Sequence, residues 1–120
     1  MMDVVNLADK FSLFQEYWKP KIAGEVNDAY IKLVKFKGDF LWHKHDAEDE
    51  LFLVVKGNMI IKLRDRDLRL AEGEFAIIPK GVEHMPVAEE EVHVILIEPK
   101  TTLNTGDRQS ERTVPQLERI

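Results

Sequence analysis

The sequence contains no cysteine. Disulfide staples and thiolate metal sites are therefore excluded, and the composition is compatible with a reducing compartment. Long hydrophobic runs are missing too. The uninterrupted apolar stretches end after a few residues, whereas a membrane-spanning helix needs roughly 20. Nor does MMDVVNLADKF offer the basic start and apolar core of a secretory signal. The expectation is a soluble, cytoplasmic protein. Cationic side chains are in deficit, with 17 Lys and Arg against 22 Asp and Glu and a net charge of -5. That balance argues against a nucleic acid or an anionic membrane as the main partner. Histidine is scarce as well, so any imidazole site must draw on His43, His45, His84 and His93.

What is present reads as one domain over residues 1–120. A chain of this length buries roughly two-thirds of its unfolded surface and needs no staple. Residues 6–18 carry a helical pattern, with Asn6 as N-cap and Leu7, Phe11, Phe14 and Trp18 at helical spacing; Ser12 is a possible break and Pro20 a stop. From residue 20 to 99 the texture changes to strands. KIAGEV and AYIKLVKFKG meet across Asn27-Asp28, a tight-turn pair. DFLWHKH, LFLVVK, MIIKLRD, RDLRL, EFAIIP and EEEVHVILIEP follow, separated by turn signals and by no helix. Eight or more short strands of this kind predict an all-β antiparallel sandwich or barrel. Alternation puts Phe52, Val54, Met59, Ile61, Phe75 and Ile77 on its inner face. Residues 100–120 form a polar tail that wraps the barrel or frays.

His43 and His45 share one strand face, because side chains alternate with period two. Glu50 opens the following strand and can lie across from them. His84 arrives from the loop PKGVEH. Three imidazoles and a carboxylate suit a borderline divalent metal, Fe, Mn, Ni, Zn or Co, and leave open positions for a ligand. His93 has no partner at ligand spacing and reads as a sheet-face or interface histidine. Asp46, Glu48 and Asp49, and the run Glu89 to Glu91, read as solvated loop charge.

These residues resemble the cupins. The first cupin motif, His-x-His, four residues, Glu, six residues, Gly, is matched by His43, His45, Glu50 and Gly57. The second, Gly, five residues, Pro-x-Gly-x-x-His, is matched by Gly73, Pro79, Gly81 and His84. Two departures stand out: four residues rather than five separate Gly38 from His43, and Ala88 occupies the place of a common closing Asn. Neither position binds metal in the family pattern. Asp49 rivals Glu50, but Gly57 is in register with Glu50.

The resemblance implies a jelly-roll barrel with His43, His45, Glu50 and His84 as metal ligands. It also implies a metal-dependent enzyme on a small organic substrate, by oxygenase-type or by sugar or keto-acid isomerase-type chemistry. Small cupins of this kind are often labelled mannose-6-phosphate isomerase-like, which reflects the barrel more than the reaction. The alternative is a non-catalytic metal- or metabolite-binding barrel, since no acid–base residue stands out beyond the four. Trp42 is expected to face away from the metal, under the helix or at a dimer interface. Tyr30 and Lys32 are candidates for a proton donor or an anion contact, and Arg64, Arg66 and Arg69 read as a solvated hairpin tip. Sheet edges of this type are commonly hidden by pairing, so a homodimer is expected.

Overall fold

The computed structural model describes residues 2–120. In chain order its elements are α1 (Leu7–Phe11), β1 (Lys21–Val26), β2 (Ala29–Asp39), β3 (Glu50–Lys56), β4 (Met59–Leu63), β5 (Asp67–Leu70), β6 (Phe75–Ile78), β7 (His84–Pro99) and β8 (Glu118–Arg119). β7 joins the sheet together. β2 pairs along one edge of it, while β3 and β4 divide the other edge between its C-terminal and N-terminal halves. Where the partner changes, β7 bulges: Phe36 lies opposite Val92 and Gly38 opposite Ala88. Glu89, Glu90 and Glu91 fill that bulge and are exposed, so the acidic run is a solvated corner within a continuous strand. The ladder runs β5-β4-β7-β2-β1-β8, with β3 and β6 branching from β7. The fold is all-β as expected, but the sheet rolls over without closing its hydrogen-bond circuit.

Two apolar clusters lie on opposite sides of this sheet. Inside the roll, Val34, Phe36, Phe52, Val54, Ile61 and Val94 pack with residues from every central strand. On the outer face, Phe11 and Phe14 cover Leu33 and Ile95. The period-two pattern of β2 serves both: Val34 and Phe36 turn inward while Leu33 turns outward.

Several expectations need correction. The helix spans Leu7–Phe11, not 6–18; Asn6 caps it by accepting from the Asp9 N–H at 2.9 Å, and Ser12 ends it. Trp18 takes a left-handed φ of 64° and leaves the helical course altogether. Its indole enters the roll and stacks on Phe36 and Phe40 at centroid distances of 4.3 and 4.9 Å. DFLWHKH is not a regular strand: past Asp39 only His43 keeps a bridge, to His84. Phe75 and Ile77 are exposed, because in β6 it is Ile78 that faces inward. They pair across the outer face with Leu53 and Leu51. The tail wraps rather than frays, with β8 lying parallel to β1 and the Ile120 N–H donating to the Ile22 carbonyl at 3.0 Å.

Candidate metal centre

Three backbone contacts bring the candidate ligands to one place. His43 and His84 exchange N–H···O bonds of 3.1 and 2.9 Å, which ties the loop after β2 to the start of β7. The Gly81 N–H donates to the His45 carbonyl at 2.8 Å, and Gly81 takes a φ of 82°, a turn that side-chain-bearing residues resist. From the other side the tail grips Lys44, the residue between the two histidines. Asp107 accepts from the Lys44 N–H through Oδ1 and donates its own N–H to the Lys44 carbonyl, both at 2.9 Å. Gly106 makes that approach possible, since a Cβ there would lie 2.2 Å from the Lys44 oxygen. Asp49, the rival to Glu50, is exposed and accepts from the Lys80 N–H at 2.9 Å, so it shapes the loop.

The result is a buried cluster in which His43, His45, Glu50 and His84 each offer one donor atom within 4.8 Å of the others. Nδ1 of His43 lies 2.9 Å from the Leu41 carbonyl, and Nδ1 of His84 lies 2.9 Å from the Val82 carbonyl. A carbonyl only accepts, so both rings carry their proton on Nδ1 and turn the Nε2 lone pair inward. Glu50 Oε1 is 3.2 Å from His84 Nε2 and 3.3 Å from His45 Nε2. The latter contact lacks hydrogen-bond geometry: both ring nitrogens of His45 are buried without a partner among the described residues. Idle polar atoms sealed from water are costly. A cation among them would give them a partner, and the mixed imidazole and carboxylate set fits a borderline divalent ion.

The electrostatics agree with that fit. Burial pushes His43 down to about 4, the neighbouring His84 adds to the shift, and the Leu41 carbonyl opposes it. The imidazole is therefore neutral at pH 7, as a ligand must be. Burial alone would raise Glu50, but the neighbouring Glu98 carboxyl and the His45 and His84 imidazoles hold it well below the usual carboxylate range. Glu98 goes the other way. Its burial, then the charge of the neighbouring Glu50, push it well above that range, against the opposing pull of Lys32.

Glu98 was not among the residues singled out from the sequence. The signal existed: in EEEVHVILIEP it shares the inward parity of Val92, Val94 and Leu96. Lys32 donates to Glu98 Oε1 at 2.7 Å, so it is a buried partner within the roll and not a surface anion contact. Tyr30 lies near Lys32, Lys100 and Arg119 at the partly exposed end of β2. His93 lies outside the cluster on the outer face, stacked on Phe11 at 4.6 Å and bonded to Glu91. Trp42 is covered by the Arg64 guanidinium, 3.8 Å from the ring centroid. A small cavity of about 20 Å³ opens beside His43 and Glu50, walled mainly by Trp18, Phe36, Phe40, Phe52 and Leu96.

Comparison with known proteins agrees with this geometry. The family model described as "Cupin domain" matches residues 32–107. A cupin-2 domain containing protein from Shewanella frigidimarina is 48% identical, with a TM-score of 0.80 over 81% of this chain and 95% of that one. Protein NMB1881 from Neisseria meningitidis is 33% identical, with a TM-score of 0.75 over 82% of this chain and all of that one. The uncharacterized protein YdbB of Bacillus subtilis is 39% identical over 61 residues, which span about half of each chain (50% and 54%). With the family model covering more than half of its length, the chain belongs to the cupin family.

Proposed function

We propose that His43, His45, Glu50 and His84 hold one divalent transition metal and that the protein is a metal-dependent enzyme acting on a small organic substrate. The observation that carries this reading is the buried imidazole of His45, with neither ring nitrogen paired, inside a group of four donors within 4.8 Å of one another. Four protein ligands leave positions open on a six-coordinate ion, and when bound the ion would supply Lewis-acid or dioxygen chemistry. The chain's own residues would bind it, exclude water and keep His43 neutral.

The test is metal analysis of protein made without an affinity tag, followed by activity with dicarbonyl, catechol and sugar-phosphate substrates after reconstitution with Fe, Mn, Ni, Zn or Co. An ion bound at one per chain supports the centre, and turnover supports the enzyme. Absence of stoichiometric metal under every condition overturns both. A bound ion without turnover leaves the non-catalytic barrel. That second reading draws support from the cavity beside His43 and Glu50, which contains no acid–base side chain apart from the proposed ligands.

The protein is also proposed to act as a cytoplasmic homodimer. The outer face of β3, β6 and β7 presents Phe75, Ile77 and Ile97 at 61, 54 and 37% exposure, an apolar surface that a second copy would cover. Sedimentation showing a monomer throughout the micromolar range rejects the dimer.

A further inference from the structure

Beside the proposed ligands, the cavity is bounded by aromatic and aliphatic groups: Trp18, Phe36, Phe40, Phe52 and Leu96. Its remaining polar wall, Asn104, is half engaged. Asn104 Nδ2 donates to the Arg112 carbonyl at 2.9 Å, and its Oδ1 accepts from the Val114 N–H at 2.8 Å. Apart from His43 and Glu50, no wall residue carries a charge to pair with a phosphate or a second carboxylate, and Asn104 has only one N–H and one lone pair left to meet a row of hydroxyls. A charged group placed there would lose its hydration without recompense. The present volume, about 20 Å³, is room for roughly one water. A larger ligand has to displace a wall.

Trp18 is the wall placed to move. It sits in the irregular stretch between α1 and β1, whereas Phe36 and Phe52 project from central strands. Its backbone is held at φ 64°, a conformation that costs a bulky residue roughly 1–3 kcal/mol. Two hydrogen bonds keep it closed, from its N–H to the Lys35 carbonyl and from Nε1 to the Lys37 carbonyl, each at 2.9 Å. Trp18 as a whole is 9% exposed and lines the cavity beside His43 and Glu50.

We infer that Trp18 is a movable aromatic plug over the metal centre, and that the space it guards selects an uncharged, apolar-bodied ligand with one metal-binding head over phosphorylated or polyhydroxylated compounds. This rests on the metal reading above and narrows its substrate class. Within that reading it favours small apolar chelating substrates over sugar phosphates.

The experiment uses the full chain loaded with Co(II) and two probes with the same hydroxamate head, benzohydroxamate and phosphoglycolohydroxamate. Binding is read from the cobalt visible spectrum. Trp18 emission is followed in a Trp42→Phe background, which leaves one tryptophan. The expected result is a Kd at least about tenfold lower for benzohydroxamate, with a red shift of Trp18 emission as the indole meets water. Trp18→Ala should speed benzohydroxamate association by a similar factor, and Trp18→Phe, a milder change, should give an intermediate rate. Equal or reversed probe preference overturns the inference while leaving the metal centre intact, as does binding with no change in Trp18 emission. Failure to load Co(II) at all overturns the metal reading and this inference with it.

Discussion

Lys32 Nζ lies 2.7 Å from Glu98 Oε1, with both side chains 1% exposed, and the other oxygen of Glu98 is buried with no hydrogen-bond partner among the described residues. The two residues hang inward from adjacent strands β2 and β7, and Glu50 occupies the next position across on β3. Breaking a buried pair leaves one charge uncompensated, whereas replacing both partners removes the problem. Lys32→Met should therefore destabilise the metal-free fold by about 3 kcal/mol, and the Lys32→Met/Glu98→Leu double variant should recover much of that loss. Urea unfolding of the wild type, both single variants and the double variant checks this. A double variant no more stable than Lys32→Met contradicts it.

His45→Ala and His84→Ala should each lower metal occupancy severely, since each removes a donor from a four-membered set. His93→Ala should leave occupancy unchanged, because that ring packs on Phe11 across the sheet. Metal content after desalting separates the cases. Equal losses in all three would refute the assignment.

The metal-free protein should lose stability on acidification through His43. Its native value is depressed from 6.5 to about 4, so the unfolded chain takes up a proton first as pH falls. The stability from this group is complete above pH 6.5 and declines towards pH 4, by about 3 kcal/mol in all. Glu98 is shifted upward and contributes with the opposite sign, its stabilisation fading as pH rises through its raised native value. A comparison between wild type and His43→Gln cancels that background. Urea midpoints measured in chelator from pH 7 to 4 should converge for the two proteins; parallel curves would exclude a buried neutral His43.

Gly106→Ala should weaken metal binding even though residue 106 carries no ligand. The added methyl would meet the Lys44 carbonyl at 2.2 Å and push on the backbone between His43 and His45. The residue also sits at a φ of 58°, so the fold should lose about 1–3 kcal/mol besides. A competition titration against a chelating dye reads the affinity, and an unaltered value would show that the tail does not brace the loop.

The grouping of the four candidate ligands was legible in the sequence because their spacing and chemistry are local: His-x-His, Glu50 before an apolar run, and His84 after Pro79 and Gly81 can be read without knowing the fold. The inward parity of Phe52, Val54, Met59 and Ile61 was legible for the same reason. Phe75 and Ile77 were not, because both faces of β6 are apolar and alternation alone cannot choose between them. Trp18 was hidden by a pattern that continues the helical period after the backbone has turned left-handed. Glu98 and the tail's grip on Lys44 depend on partners more than 60 positions away, Lys32 and Asp107, which no local pattern encodes.

β2, β3 and β4 never pair with one another; each joins the sheet through β7. The upstream hairpins can form while the chain is still emerging, yet His43, His45 and Glu50 have no common meeting point until the sixteen residues of His84–Pro99 zip in between. Assembly of the pocket therefore waits on the docking of β7, a slow step given how far apart in sequence its partners lie. An ion would then be captured by a finished receptor and would not template it. Refolding should proceed at the same rate with metal or with chelator, and metal should retard only unfolding.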